Sequence, residues 1–329
     1  MSPFDHPSRR QLLLAAGALA AIPSARAQPA GWPTKPIRIV VAFPPGGLTD
    51  AYARLFAEHL GAKVNQPVVV ENKPGAGAVI AIDSVVKSPP DGHTLVITTS
   101  GTVWQNRVLY TKLPYNLDKD LAPVTIFPSG PLVVGVPERL GINTMKEFIA
   151  WAKSSPQVNM GSYAPGSYPH MVADQINRKE GTKLLTVQYK GESPMWVDMA
   201  SGQLHIAIGS FQAFNTVSTR GVKAIGVTGS YRSPKLPQVP TLVEQGMDDA
   251  LVKLEGGLPL LAPAGTPESV LNFLADVAVA GSEAPSAVTL RANFGIPNKP
   301  PGLEGTRALF AREVPVWVKL ALDLGVKLD

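Results

Sequence analysis

Cysteine is missing from all 329 residues. Its absence excludes disulfides, a thiolate nucleophile and a lipid-carrying N-terminal cysteine, and leaves the fold to be held by core packing alone. Long apolar runs are scarce too. The one beginning at Leu12 ends near Ile22, about a dozen residues where crossing a hydrocarbon layer of roughly 30 Å takes about 20. Charge of one sign is also in short supply: 30 Lys and Arg face 25 Asp and Glu, a formal net charge of +5. With no basic cluster and no interleaving of arginine with aromatics, nucleic acid is not expected as a partner.

What is present begins with a leader. Ser8-Arg9-Arg10-Gln11-Leu12-Leu13-Leu14 sets a twin-arginine pair before the apolar run, and Ala25-Arg26-Ala27 supplies a small-x-small cleavage site. Residues 1–27 are therefore expected to be a twin-arginine-type signal peptide, removed on export to the periplasm. The alternative is a retained anchor, which no second long apolar run supports. Cleavage takes away Arg9, Arg10, Arg26 and Asp5, lowering the formal +5 by two. A twin-arginine leader raises the question of a folded cofactor, but no cysteine, haem or flavin motif accompanies it, so no cofactor is expected.

From Ile37 onward, short β-branched runs alternate with longer helical patterns. Residues 37–43, 68–70, 94–98, 133–136, 158–160, 184–187, 204–208 and 223–227 read as strands, and 49–60 and 76–87 as helices. Such alternation implies βαβ units and mostly parallel sheets flanked by helices, an α/β fold. A chain of this size divides into two domains, because single cores stop growing near about 250 to 300 residues. Pro- and Gly-rich junctions at Phe127-Pro128-Ser129-Gly130-Pro131 and Gly256-Gly257 place one domain over 28–126 plus 254–329 and the other over 127–253. Pro315 is expected to break or kink a C-terminal helical stretch from about residue 302 to 324.

Two strand-to-helix junctions stand out as candidate binding loops. Pro44-Pro45-Gly46-Gly47 and Gly161-Ser162-Tyr163-Ala164-Pro165-Gly166-Ser167-Tyr168 each follow an apolar strand and precede a helix. Glycines leave the amides uncovered, and the helix start adds its own N–H groups and positive dipole end. The same glycines also serve simply to turn a corner. If two domains face each other across a cleft, both loops suit a ligand with anionic ends. Phe43, Tyr163 and Tyr168 are candidates to wall it. Asp50 and Arg54 have the spacing of an i,i+4 ion pair.

Other chemistry is poorly supported. Gly161-x4-Gly166-Ser167 has phosphate-loop glycine spacing without the lysine, and Gly75-x-Gly77 lacks a third glycine. His170 and Asp174 are too few for a metal site, so none is expected, and capping or packing suits His170 better. His205 reads as a sheet residue. With no G-x-S-x-G elbow and no assembled nucleophile, base and metal set, an enzyme is not expected.

The chain resembles the substrate-binding proteins of tripartite tricarboxylate transporters, also called Bug receptors. The resemblance is carried by Trp32-Pro33-Thr34-Lys35-Pro36-Ile37-Arg38, Pro44-Pro45-Gly46-Gly47 with Asp50 and Arg54, Glu71-Asn72-Lys73-Pro74-Gly75-Ala76-Gly77, and Pro90-Asp91-Gly92. Leu113-Pro114-Tyr115, Ala122-Pro123-Val124, Tyr189-Lys190-Gly191 and Ala262-Pro263-Ala264-Gly265-Thr266-Pro267 continue it. It implies a two-domain, Venus-flytrap periplasmic-binding-protein fold and a receptor that hands a small mono- or dicarboxylate to membrane permease subunits; a monomer is the expected state. It further implies that Pro45, Gly46 and Gly47 and the loop with Ser162, Tyr163, Gly166, Ser167 and Tyr168 hold carboxylate oxygens from opposite domains. Ser100 and Thr102 would face the same cleft. Presentation of the ligand to a membrane sensor kinase is the alternative within the same family shape. One departure bears on the ligand: where the family often reads Phe-Asp, this chain has Ile208-Gly209, which removes an acid able to meet an amino group and favours a plain carboxylate.

Overall fold

The computed structural model describes residues 28–189, 191–254 and 256–328. The leader expected over residues 1–27 lies outside them. The run Ile37–Val41 forms strand β1, its apolar residues buried on both faces as a central strand requires. It is flanked by β2 (Val68–Asn72) and β3 (Thr94–Ile97), both parallel to it, with Ile37 opposite Val68 and Arg38 opposite Thr94. A returning strand, β10 (Leu258–Pro263), runs antiparallel between β3 and β4 (Leu121–Phe127). The resulting order is β2-β1-β3-β10-β4.

A second five-stranded sheet repeats the plan. It comprises β5 (Val133–Pro137), β6 (Val158–Ser162), β7 (Leu184–Gln188), β8 (Ile206–Gly209) and β9 (Val222–Val227), in the order β7-β6-β8-β5-β9. Strand β6 is parallel to β7 and β8, while β5 is antiparallel to β8 and β9. Each sheet thus carries a single reversed strand, and the α/β, mostly parallel reading holds.

Helices α1 (Leu48–Val64), α2 (Val79–Val86) and α3 (Ser100–Leu109) follow the first three strands. Around the second sheet lie α4 (Met145–Ser154), α5 (Tyr168–Glu180), α6 (Glu192–Ala200), α7 (Phe211–Asn215) and α8 (Ala250–Lys253). The chain closes with α9 (Glu268–Gly281), α10 (Pro285–Phe294) and α11 (Leu303–Leu324). One face of the first sheet packs on α1 and α9 through Ile39, Phe56, Leu60 and Leu274. Its other face joins a cluster that continues into the second sheet, from Val40, Val96 and Trp104 to Met160 and Ile206. The two sheets therefore share buried apolar surface beneath the cleft.

Three elements depart from the sequence reading. Strand β4 is not among the strands read from the sequence; it accommodates Pro123 because it is an edge strand, where a missing N–H costs no ladder bond. Ser100 and Thr102 fall in the first turn of α3, capped by Thr99, rather than in a strand-end loop. Pro315 does not break α11, which runs through it. Apolar packing on both sides holds the helix: Trp317 lies tilted against Trp104 and Phe310 meets it edge-on, with ring centroids 5.8 and 5.4 Å away, and Val314 and Val316 join the same cluster.

Candidate functional site

A cleft of about 1140 Å³ opens between the sheets, bordered by the starts of α1, α3, α5, α6 and α7. Its first jaw is the β1–α1 junction. Gly46 adopts φ +92°, a conformation that favours glycine, and Gly47 is the N-cap of α1. Asp50 fixes the turn from beneath. Its Oδ2 accepts from the Gly46 N–H at 3.0 Å and from Arg54 Nε at 2.9 Å, and its Oδ1 accepts from Asn72 Nδ2 at 3.0 Å. Burial pushes the Asp50 carboxyl up, but the hydrogen bonds from Arg54, Gly46 and Asn72 and the Arg54 charge outweigh it and hold the group below the usual carboxylate range. With the Gly46 amide so engaged, the N–H groups of Gly47, Leu48, Thr49 and Asp50 have no acceptor within the helix, and Gly47, Leu48 and Thr49 line the cleft with Phe43. Pro45 and Gly46 are exposed and lie off its wall.

The second jaw is the β6–α5 junction. Ser162 is fully buried and donates to the Ala164 carbonyl at 2.9 Å, so the 2.9 Å contact between its Oγ and that of Ser167 is a bond donated by Ser167. Gly166 also sits behind the wall, at φ +73°, its N–H donating to His170 Nδ1 at 3.1 Å. That contact gives His170 its capping role. Asp174 pairs with Arg178 at 2.8 Å. Tyr163, Ser167 and Tyr168 do line the cleft. The Tyr168 hydroxyl donates to the Leu251 carbonyl at 3.1 Å. Burial pushes the Tyr163 phenol up, with the Glu192 and Tyr168 side chains adding to it, although a hydrogen bond with the Tyr168 backbone works the other way.

The floor comes from α3. Ser100 exchanges bonds with Gly257, donating its N–H to the Gly257 carbonyl at 2.9 Å while its Oγ accepts the Gly257 N–H at 3.1 Å. Thr102 Oγ1 lies 2.8 Å from Thr99 Oγ1. Both Ser100 and Thr102 reach the cleft wall, along with Gln105 and Asn106.

Sequence reasoning missed Glu192. It follows Gly191, which has φ +112°, at the start of α6, so the β7–α6 junction repeats the strand–glycine–helix pattern of the two loops that were singled out. Glu192 Oε2 accepts from the Ser210 N–H at 3.0 Å and the Ser210 Oγ at 2.5 Å. Burial pushes this carboxyl up, and the two Ser210 bonds offset part of that. Among the described residues it is the only charged side chain on the cleft wall.

The profile described as "Tripartite tricarboxylate transporter family receptor" matches residues 52–320. The chain belongs to this receptor family. Protein BugT of Bordetella pertussis is 30% identical over 300 residues, covering 90% of this chain and 91% of BugT. Among solved structures, that of Rpa4515 from R. palustris with adipate superposes with a TM-score of 0.77 at 28% identity, covering 90% of this chain and 99% of the other. MatC from Rhodopseudomonas palustris with bound malate gives 0.72 at 26% identity, over 88% and 100%. The family's members are periplasmic solute receptors, and no helix among the described residues is long and apolar enough to cross a membrane.

Proposed function

We propose that this receptor binds a small mono- or dicarboxylate between its two sheets and delivers it, unchanged, to the permease subunits of a tripartite tricarboxylate transporter. The observation that carries the reading is the open start of α1: Gly47, Leu48 and Thr49, whose N–H groups have no acceptor within the helix and are backed by a 17-residue helix dipole, line a cleft with no cation on its described walls. Backbone amides of this kind take a carboxylate without a lysine or arginine. Hydroxyls of Thr102 and Tyr163 meet the ligand from α3 and the opposite jaw. The adipate and malate in the two related structures support the ligand class, and the family supports the permease as partner. Export through residues 1–27, action in the periplasm, and independent movement of 127–253 against the remainder complete the proposal.

Isothermal calorimetry of the leader-free chain against adipate, malate, succinate and monocarboxylates of similar length tests it, with the ligand analysed afterwards by mass spectrometry. Saturable one-to-one binding and recovery of intact ligand are expected. No binding across the panel, or conversion of a bound compound, contradicts it.

A further inference from the structure

Glu192 is set into the cleft by construction. The space over Gly209 belongs to its side chain, since a Cβ there would lie 3.2 Å from Glu192 Oε2 and 2.8 Å from Trp196 Nε1. The glycine that removes an acid at position 209 is thus what admits an acid from α6. The sequence alone favours a plain carboxylate on the strength of Gly209; the structure returns a carboxyl to the same place from another element.

The chemistry of that carboxyl is constrained. The Ser210 N–H is an obligatory donor, so Oε2 serves as an acceptor, and Oε1 has no hydrogen bond among the described residues. The titratable group facing it is Tyr163, whose phenol is itself pushed up and stays neutral at ordinary pH. No described lysine, arginine or histidine lines the cleft to balance Glu192. A recessed carboxylate without an opposing charge is costly, and a ligand bearing only carboxylates adds like charge to it. A cationic group on the ligand removes both penalties at once.

We propose that the ligand carries an ammonium group as well as a carboxylate, with the carboxylate on the α1 amides and the ammonium on Glu192 Oε1, so that Glu192 selects amino acids over plain carboxylates of equal length. This rests on the receptor reading above and narrows its ligand class.

Calorimetry with matched pairs tests it: succinate against aspartate, and glutarate against glutamate, on the wild type and on Glu192→Gln. The wild type is expected to bind the amino member of at least one pair about tenfold tighter or more, a difference of about 1.4 kcal/mol. In Glu192→Gln that ratio falls to within about twofold of one, because Gln keeps the shape and loses the charge. The wild-type ratio needs no variant, and thermal unfolding of Glu192→Gln checks its fold. Plain members binding as tightly as amino members overturns the inference while leaving the receptor reading intact. So does a wild type whose affinity for plain members rises from about pH 8 to about pH 5 in a way Glu192→Gln abolishes, since Glu192 then acts as a proton donor. Binding of neither member of any pair, nor of any other carboxylate, removes the receptor reading itself.

Discussion

Asp50 shapes the first jaw through its three partners, and the consequence is measurable. Asn at this position keeps the volume but loses the charge-assisted bonds to Arg54, so Asp50→Asn is expected to cost about 1 to 3 kcal/mol in thermal or urea unfolding. The sign of the pH dependence follows from the lowered folded-state value. Stability from Asp50 is present above the ordinary carboxylate range, near about pH 4, and is lost as pH falls through the lower folded value. Acidification to about pH 3 should therefore destabilise the wild type more than Asp50→Asn. The Asp50–Arg54 pair was legible because i,i+4 spacing on a helix puts the two side chains together. The capture of the Gly46 amide was not, since it depends on the φ of +92° at Gly46. Glu192 was hidden for a different reason: its partner Ser210 lies 18 residues away on another element, and nothing in either local segment announces the pairing.

Junctions between elements govern how closely the jaws approach. Gly166, on the second jaw, would place a Cβ 2.6 Å from Leu109 Cδ1, on the helix that forms the floor. Gly166→Ala carries two penalties, a left-handed φ costing roughly 1 to 2 kcal/mol for a residue with a Cβ, and this contact. Ligand affinity is expected to fall about tenfold. Adding Leu109→Ala should restore part of that affinity while leaving the backbone penalty, and unfolding measurements beside calorimetry separate the two. Unchanged affinity in Gly166→Ala would show that the close approach has no part in binding. The strand–helix alternation was readable here because β-branched runs and glycine-rich turns are local signals. Strand β4 and the intact α11 were not, because edge placement excuses Pro123 and core packing around Trp104 sustains the helix through Pro315. Both are tertiary effects that overrule a local rule.

Across the whole chain, two sheets share buried surface while the polypeptide passes between them at residues 127–133 and again between 227 and 258. That arrangement suits jaws that close on a ligand, and small-angle scattering is expected to show a smaller radius of gyration with a saturating carboxylate than without. The central claim is that the start of α1 holds the carboxylate. Position 47 tests it cleanly, because Gly47 has φ −84° and a Cβ there meets nothing within 4 Å. Aspartate is a favoured N-cap, so Gly47→Asp should unfold at the wild-type temperature or above it. It nevertheless sets a like charge and a competing acceptor on the Leu48 and Thr49 amides. Calorimetry of Gly47→Asp beside Gly47→Ala, with whichever carboxylate binds the wild type, is the decisive comparison. The account predicts that the aspartate variant loses at least about tenfold in affinity, about 1.4 kcal/mol, and the alanine variant much less. A folded Gly47→Asp that binds the carboxylate as tightly as the wild type would contradict it.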